Sequence, residues 1–244
     1  MRYLATLLIS SVTAFSLSQC APDGPASAPN PGAKAANQLD IAGNACGPTA
    51  LLNAWRFGSP NCQSIAANLP GRDDRCQLRH LIIHYGGQRS YHIPQRNRWS
   101  RRGINAADLT DIANIAMKKH DVRNVVLIVP HGANALAKTH QQWARSLRRG
   151  FPPVISLRRY EGATVIESHF VTVLKVPDHL ETHASFFAMD YLDPIGARVC
   201  QGRIDQKTTT SQTQLMATTP STPVGLSLTS GVSALVMDSM IVMP

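Results

Sequence analysis

The chain has 244 residues, a formal net charge of +9 and a mean hydropathy near zero, at -0.11. That length is enough for one domain with a real core once a targeting segment is removed. The positive balance alone admits nucleic acid or an anionic surface, but no zinc-finger spacing and no aromatic-interleaved basic groove accompanies it, so a nucleic-acid partner is not expected.

Residues 1–19 read as an export signal. Arg2 supplies the charged start, and the apolar run from Leu4 to Phe15 is too short to span a bilayer, which takes about 20 apolar residues. Leu17-Ser18-Gln19-Cys20 resembles a bacterial lipobox, which implies lipidation of Cys20, contact with a membrane through that anchor and a place in the cell envelope. Plain secretion, with Cys20 discarded or free, is the alternative. Residues 20–36, rich in Pro, Ala, Gly and Asn, read as a linker.

From residue 37 the elements follow one another at globular spacing. Leu51, Leu52 and Trp55 lie at helical intervals behind Pro48, so a helix starts at or just after Cys46, with the proline in its first turn. Gly58-Ser59-Pro60 ends it. Further helices are expected over 105–120 and 134–149. The first of these carries an apolar stripe through Leu109, Ile112, Ala113, Ala116 and Met117. Short strands are expected at 125–129, 153–157, 169–176, 185–192 and 197–204. Helices first and strands afterwards give an α+β pattern. Residues 208–230 are rich in Ser, Thr, Gln and Pro and read as loop, with an apolar segment at 231–243 returning to the core as strand or helix. The domain is thus 37–207, with 208–244 as a tail.

There are five cysteines. Export permits disulfides, and a bridge between Cys62 and Cys76 closes a short loop worth about 3 kcal/mol on the chain-entropy account. Cys46 and Cys200 then either pair or leave a working thiol. Cys46 is chemically suited to that work. A helix N-terminus lowers a thiol's pKa and offers N–H groups to an oxyanion, and Gly47 leaves room for a substrate backbone. An ordinary buried cysteine fits the local context equally. Of the nine histidines, His169 opens a strand, Phe170-Val171-Thr172-Val173-Leu174, and a strand end holds a general base firmly. Asp193, after the next strand, is the candidate to orient its imidazole. Asp190 takes that place if the intervening turn, 177–183, shifts the register.

The segment from Asn44-Ala45-Cys46-Gly47-Pro48-Thr49 to Asn53 resembles the nucleophile motif of the bacteriocin-processing (double-glycine) peptidases, within the papain-like cysteine peptidase superfamily. Ser168-His169-Phe170-Val171-Thr172-Val173 resembles their histidine strand, and Leu192-Asp193-Pro194 their Asp-Pro element, in the same order. The resemblance implies a papain-like fold, with N-terminal helices packed on a C-terminal antiparallel sheet. It implies a thiol protease or amidase acting on a peptide or protein substrate through Cys46, His169 and Asp193. It further implies an oxyanion hole completed by Gln38, for which Asn44 is the alternative. No metal and no organic cofactor is implied. A non-catalytic envelope domain that binds peptide or polymer is the competing expectation.

Overall fold

The computed structural model describes residues 24–161, 164–208, 213–218 and 235–244. The expected export signal and Cys20 lie outside them, as does most of the Ser/Thr-rich stretch. No helix among the described residues is long and apolar enough to cross a membrane.

Among the described residues the first strand is β1 (Ala26–Ser27), and helix α1 (Cys46–Arg56), which is buried nearly all round, comes after it. Helices α2 (Pro60–Ala67) and α3 (Asp74–His80) follow, started by Ser59 and Asp73, whose side chains accept the Cys62 and Cys76 N–H groups. A single π turn, Leu81–Tyr85, extends α3. The hairpin β2 (Trp99–Ser100) and β3 (Gly103–Ile104) turns through Arg101 and Arg102, and Gly103 sits there at φ +81°, in the left-handed region that suits glycine. It leads into α4 (Ala106–Lys118), capped by Asn105. Then come β4 (Val126–Ile128), α5 (Ala135–Arg148), β5 (Val154–Glu161), β6 (Thr164–Val176), β7 (Phe186–Asp193), β8 (Arg198–Thr208), β9 (Thr213–Thr218) and β10 (Leu235–Val242).

The sheet runs β6-β5-β10-β9-β8-β7, and β7 pairs again with β6, so these six strands close into an antiparallel barrel. The expected papain-like arrangement, helices packed on a C-terminal antiparallel sheet, is therefore not what the chain forms. The correction has two physical sources. First, β9 and β10 lie inside what reads as a tail, and β10 runs between β5 and β9, so a sheet drawn without them has open edges. Second, β6 is 13 residues long and pairs with two barrel neighbours, β5 and β7, besides β1. Register irregularities at Arg159/Tyr160 of β5 against β6, and at Val173/Lys175 of β6 against β7, let the sheet curl round on itself.

Alternation along the strands separates two cores. Ile155, Leu157, Val171, Val173, Met189, Tyr191 and Ile204 join one cluster, shared with Trp143 and Leu147 of α5. Val154, Phe170 and Ile241 join the other, built on Leu51, Leu52 and Trp55 of α1 with Leu109 and Ile112 of α4. Thr172 ties the two layers by donating to the Ala50 carbonyl at 2.8 Å, so α1 is fixed on the outside of β6.

Part of the stretch read as a linker packs onto this body. β1 pairs with β6 at Ala26 opposite Val176, and buried Ala36 exchanges both backbone hydrogen bonds with the Asn53 side chain, at 2.7 and 3.2 Å. The proposed Cys62–Cys76 bridge is not formed. Cys62 is buried on α2 and Cys76 is exposed on α3, and both are free thiols, as are Cys46 and Cys200.

Candidate active site

Cys46 is the first residue of α1, and its first-turn N–H groups have no carbonyl behind them within the helix. Pro48 suits that turn because its missing donor is one of those groups. Gly47 has a different role from the one expected. Its Cα faces the protein, and an added Cβ would stand 2.5 Å from Ile104 Cγ2 and 3.4 Å from both Leu109 and Phe170. The glycine lets α1 close onto β3, α4 and β6, rather than making room for substrate.

His169 lies on β6, opposite Leu157 of β5, and is almost wholly shielded from solvent. Across the other ladder Thr172 pairs with Leu192. One step further along that antiparallel register sets Asp193 beside Val171, and His169 is the next residue on the same face. Asp193 Oδ1 accepts from His169 Nε2 at 3.0 Å and from the Ile195 N–H at 2.8 Å. The second bond is an Asx turn that fixes the carboxylate, which is fully buried. With Nε2 engaged, Nδ1 is left for the Cys46 thiol, with which the ring makes its other side-chain hydrogen bond.

Asp190, the alternative acid, stands three residues before Asp193 and so faces the other side of β7, in register with Lys175 and Gln201. The turn at 177–183 therefore does not displace Asp193 from the imidazole.

Electrostatics follow from this geometry. Burial pushes the Cys46 thiol up, but the His169 hydrogen bond and charge, with backbone N–H groups of Phe170 and Gly47, bring it below the ordinary cysteine value. Burial pushes His169 down, yet the Asp193 and Cys46 hydrogen bonds and their charges raise it to about 9. Both directions favour a thiolate beside an imidazolium.

Gln38 is buried at the same site. Its N–H bonds to the Pro194 carbonyl at 2.9 Å, and Asn37 Oδ1 takes the Gly196 N–H at 3.1 Å, so the segment carrying Gln38 is laced to the turn carrying Asp193. Gln38 Nε2 donates one hydrogen to the Gly43 carbonyl at 2.6 Å. An amide nitrogen has two, and the second is available to an oxyanion. Asn44 is otherwise engaged. Its Nδ2 donates to the Arg101 carbonyl at 2.7 Å and reaches that of Ser100 at 3.5 Å, tethering the β2–β3 turn.

A cavity of about 190 Å³ opens over these groups, lined by Gln38, Asn44, Cys46 and His169. Arg102, Gly103, Ile104, Glu167 and Ile195 also line it, and the sequence singled out none of these five as a site residue. Within the basic run at 96–102, Arg98 is buried, and Arg96 is tied to Ser100 Oγ at 2.6 Å and the Gly103 carbonyl at 3.1 Å. The readable signal was Arg-Arg-Gly flanked by Trp99 and Ile104, a tight hairpin.

The residues thus define a cysteine–histidine–aspartate site carried on a closed six-stranded barrel. No protein-family model and no curated protein sequence matches the chain, so the site stands on its own geometry. Chemically, the arrangement offers a nucleophile, a proton shuttle with a fixed orientation, and donors for a developing oxyanion.

Proposed function

We propose that the chain is a cysteine hydrolase that cleaves a peptide or amide bond by acyl transfer. The observation carrying this reading is the Cys46–His169–Asp193 relay at the mouth of a cavity. Cys46 Sγ attacks the carbonyl carbon, and the oxyanion meets the first-turn N–H groups of α1 and the Gln38 amide. His169 gives its proton to the leaving nitrogen, the C–N bond breaks and a thioester remains. Water then attacks the thioester with His169 as base, the acid leaves and the thiolate returns.

A small peptide, an envelope protein or a cell-wall stem peptide all satisfy this chemistry. The N-terminal pattern ending at Cys20 supports an exported, envelope-held enzyme, and the motif resemblance around Cys46, His169 and Asp193 agrees with a peptidase. The test is a peptide library incubated with the protein and with Cys46→Ala, read by mass spectrometry. Cleavage by the native protein alone, with a thioester adduct trapped on Cys46, is expected. A library left intact by both proteins would leave a peptide-binding domain as the better account.

A further inference from the structure

A second group of side chains, none of it part of the Cys46 site, has the composition of a cation site. His92 sits in the loop between the Leu81–Tyr85 turn and β2, while Asp108 and Asp111 lie three residues apart on one face of α4. One ligand atom from each lies within 4.8 Å of the other two. The long sequence gap between His92 and the two aspartates hides this from any spacing rule.

The carboxylate of Asp108 makes the argument. It is fully buried, and Asn105 Nδ2 satisfies only Oδ2, at 2.5 Å. Asp108 Oδ1 has no hydrogen-bond partner among the described residues. A buried charged oxygen left unpaired is costly, and native structures normally supply it with a donor, a water or an ion. An ion pair between His92 Nε2 and Asp111 Oδ2, which stand 3.0 Å apart, leaves that oxygen unanswered. A cation held among the three residues would give the Asp108 carboxylate a partner besides Asn105.

The remaining features suit binding. Ser90 Oγ accepts the N–H groups of His92 and Ile93 at 3.0 and 2.9 Å, so the imidazole is presented by an ordered turn. His92 is exposed, giving an entry path, while Asp108 lies at the closed end. Two carboxylates and one neutral imidazole balance a divalent charge, and one nitrogen with two oxygens suits a transition ion rather than calcium.

We propose that His92, Asp108 and Asp111 bind a divalent transition-metal cation that ties the 88–98 loop to the first turns of α4. Gly103 and Ile104, which line the Cys46 cavity, lead through Asn105 into the same helix.

Co2+ titrated into the chelator-treated protein tests this, followed by calorimetry and visible absorption. One equivalent should bind, with d–d bands and no thiolate charge-transfer band. Affinity should fall at least about tenfold in His92→Ala and in Asp111→Asn. Neither residue is in the core, and circular dichroism checks that both variants fold; Asp108→Asn keeps the side-chain shape and should weaken binding too. Absence of binding, a thiolate band, or unchanged affinity in His92→Ala and Asp111→Asn overturns the proposal. None of these outcomes depends on whether Cys46 is a nucleophile.

Discussion

The hydrogen bond from His169 to Asp193, 3.0 Å long, crosses the β6–β7 seam whose pairing completes the barrel. Barrel closure and orientation of the imidazole are therefore one structural event. A strand slip of one residue would turn Asp193 to the opposite face and leave His169 unsupported.

Asp193→Asn should therefore remove the main support for the raised His169 pKa. The imidazole is expected to titrate well below its native value of about 9, and amide turnover to fall about 10²–10⁴-fold. Histidine NMR across the pH range reads the first effect. Asp190→Asn, on the other face of β7, should leave the titration in place. Equal effects from the two variants would mean that the register argument is wrong.

Gln38→Ala separates oxyanion stabilisation from thiol activation. Turnover of a peptide amide should drop about 10²-fold, while the alkylation rate of Cys46 stays near the native rate, because Gln38 is not among the groups that depress its pKa. Parallel loss of both rates would assign Gln38 to holding the site together instead.

Two glycines give a packing test. Gly47→Ala drives a methyl into Ile104 at 2.5 Å and should cost about 1–3 kcal/mol in urea unfolding. Gly43→Ala meets nothing within 4 Å and should be close to neutral.

The C-terminal segment provides the test of the barrel. Deleting residues 235–244 removes β10 from between β5 and β9 and should abolish cooperative unfolding. Ile241→Ala is the milder variant; the side chain is fully buried, and about 2–5 kcal/mol of destabilisation is expected. A soluble, cooperatively folding deletion would show that the strand is dispensable.

How much of this could be read from the sequence depends on how local the cause is. The start of α1 was legible because Gly47-Pro48 ahead of Leu51, Leu52 and Trp55 is a local signal, and α4 spans Ala106–Lys118 against an expected 105–120. The strand of His169 was placed but cut short. β6 begins at Thr164, and its leading residues Val165 and Ile166 are exposed, so no burial pattern announces them. Strand β9, Thr-Gln-Leu-Met-Ala-Thr, hides in a Ser/Thr-rich stretch, although Leu215 and Ala217 alternate inward as a half-buried strand requires. Without it the link from β10 to β8 is missing and the sheet stays open, so nothing in the strand pattern argued against the layered papain-like arrangement that the motif resemblance implied. Burial of Arg98 and the packing role of Gly47 depend on contacts between distant segments, and no window of sequence contains them.

The most direct test of the central claim is the pH dependence of Cys46 alkylation by iodoacetamide, mapped by peptide mass spectrometry in the native protein and in His169→Ala. Only the thiolate reacts, and a lowered pKa keeps it populated on the acid side of the ordinary thiol range, near 8.5. Cys46 should therefore keep labelling at pH values below the ordinary thiol range, where an unperturbed thiol slows. Cys62, raised by burial, and Cys76, raised by its hydrogen bond to Asp73, should not. In His169→Ala the Cys46 midpoint should move up to or beyond the ordinary thiol range. A Cys46 that is inert at neutral pH, or that titrates identically in the variant, would contradict a thiolate–imidazolium pair and with it the proposed hydrolase.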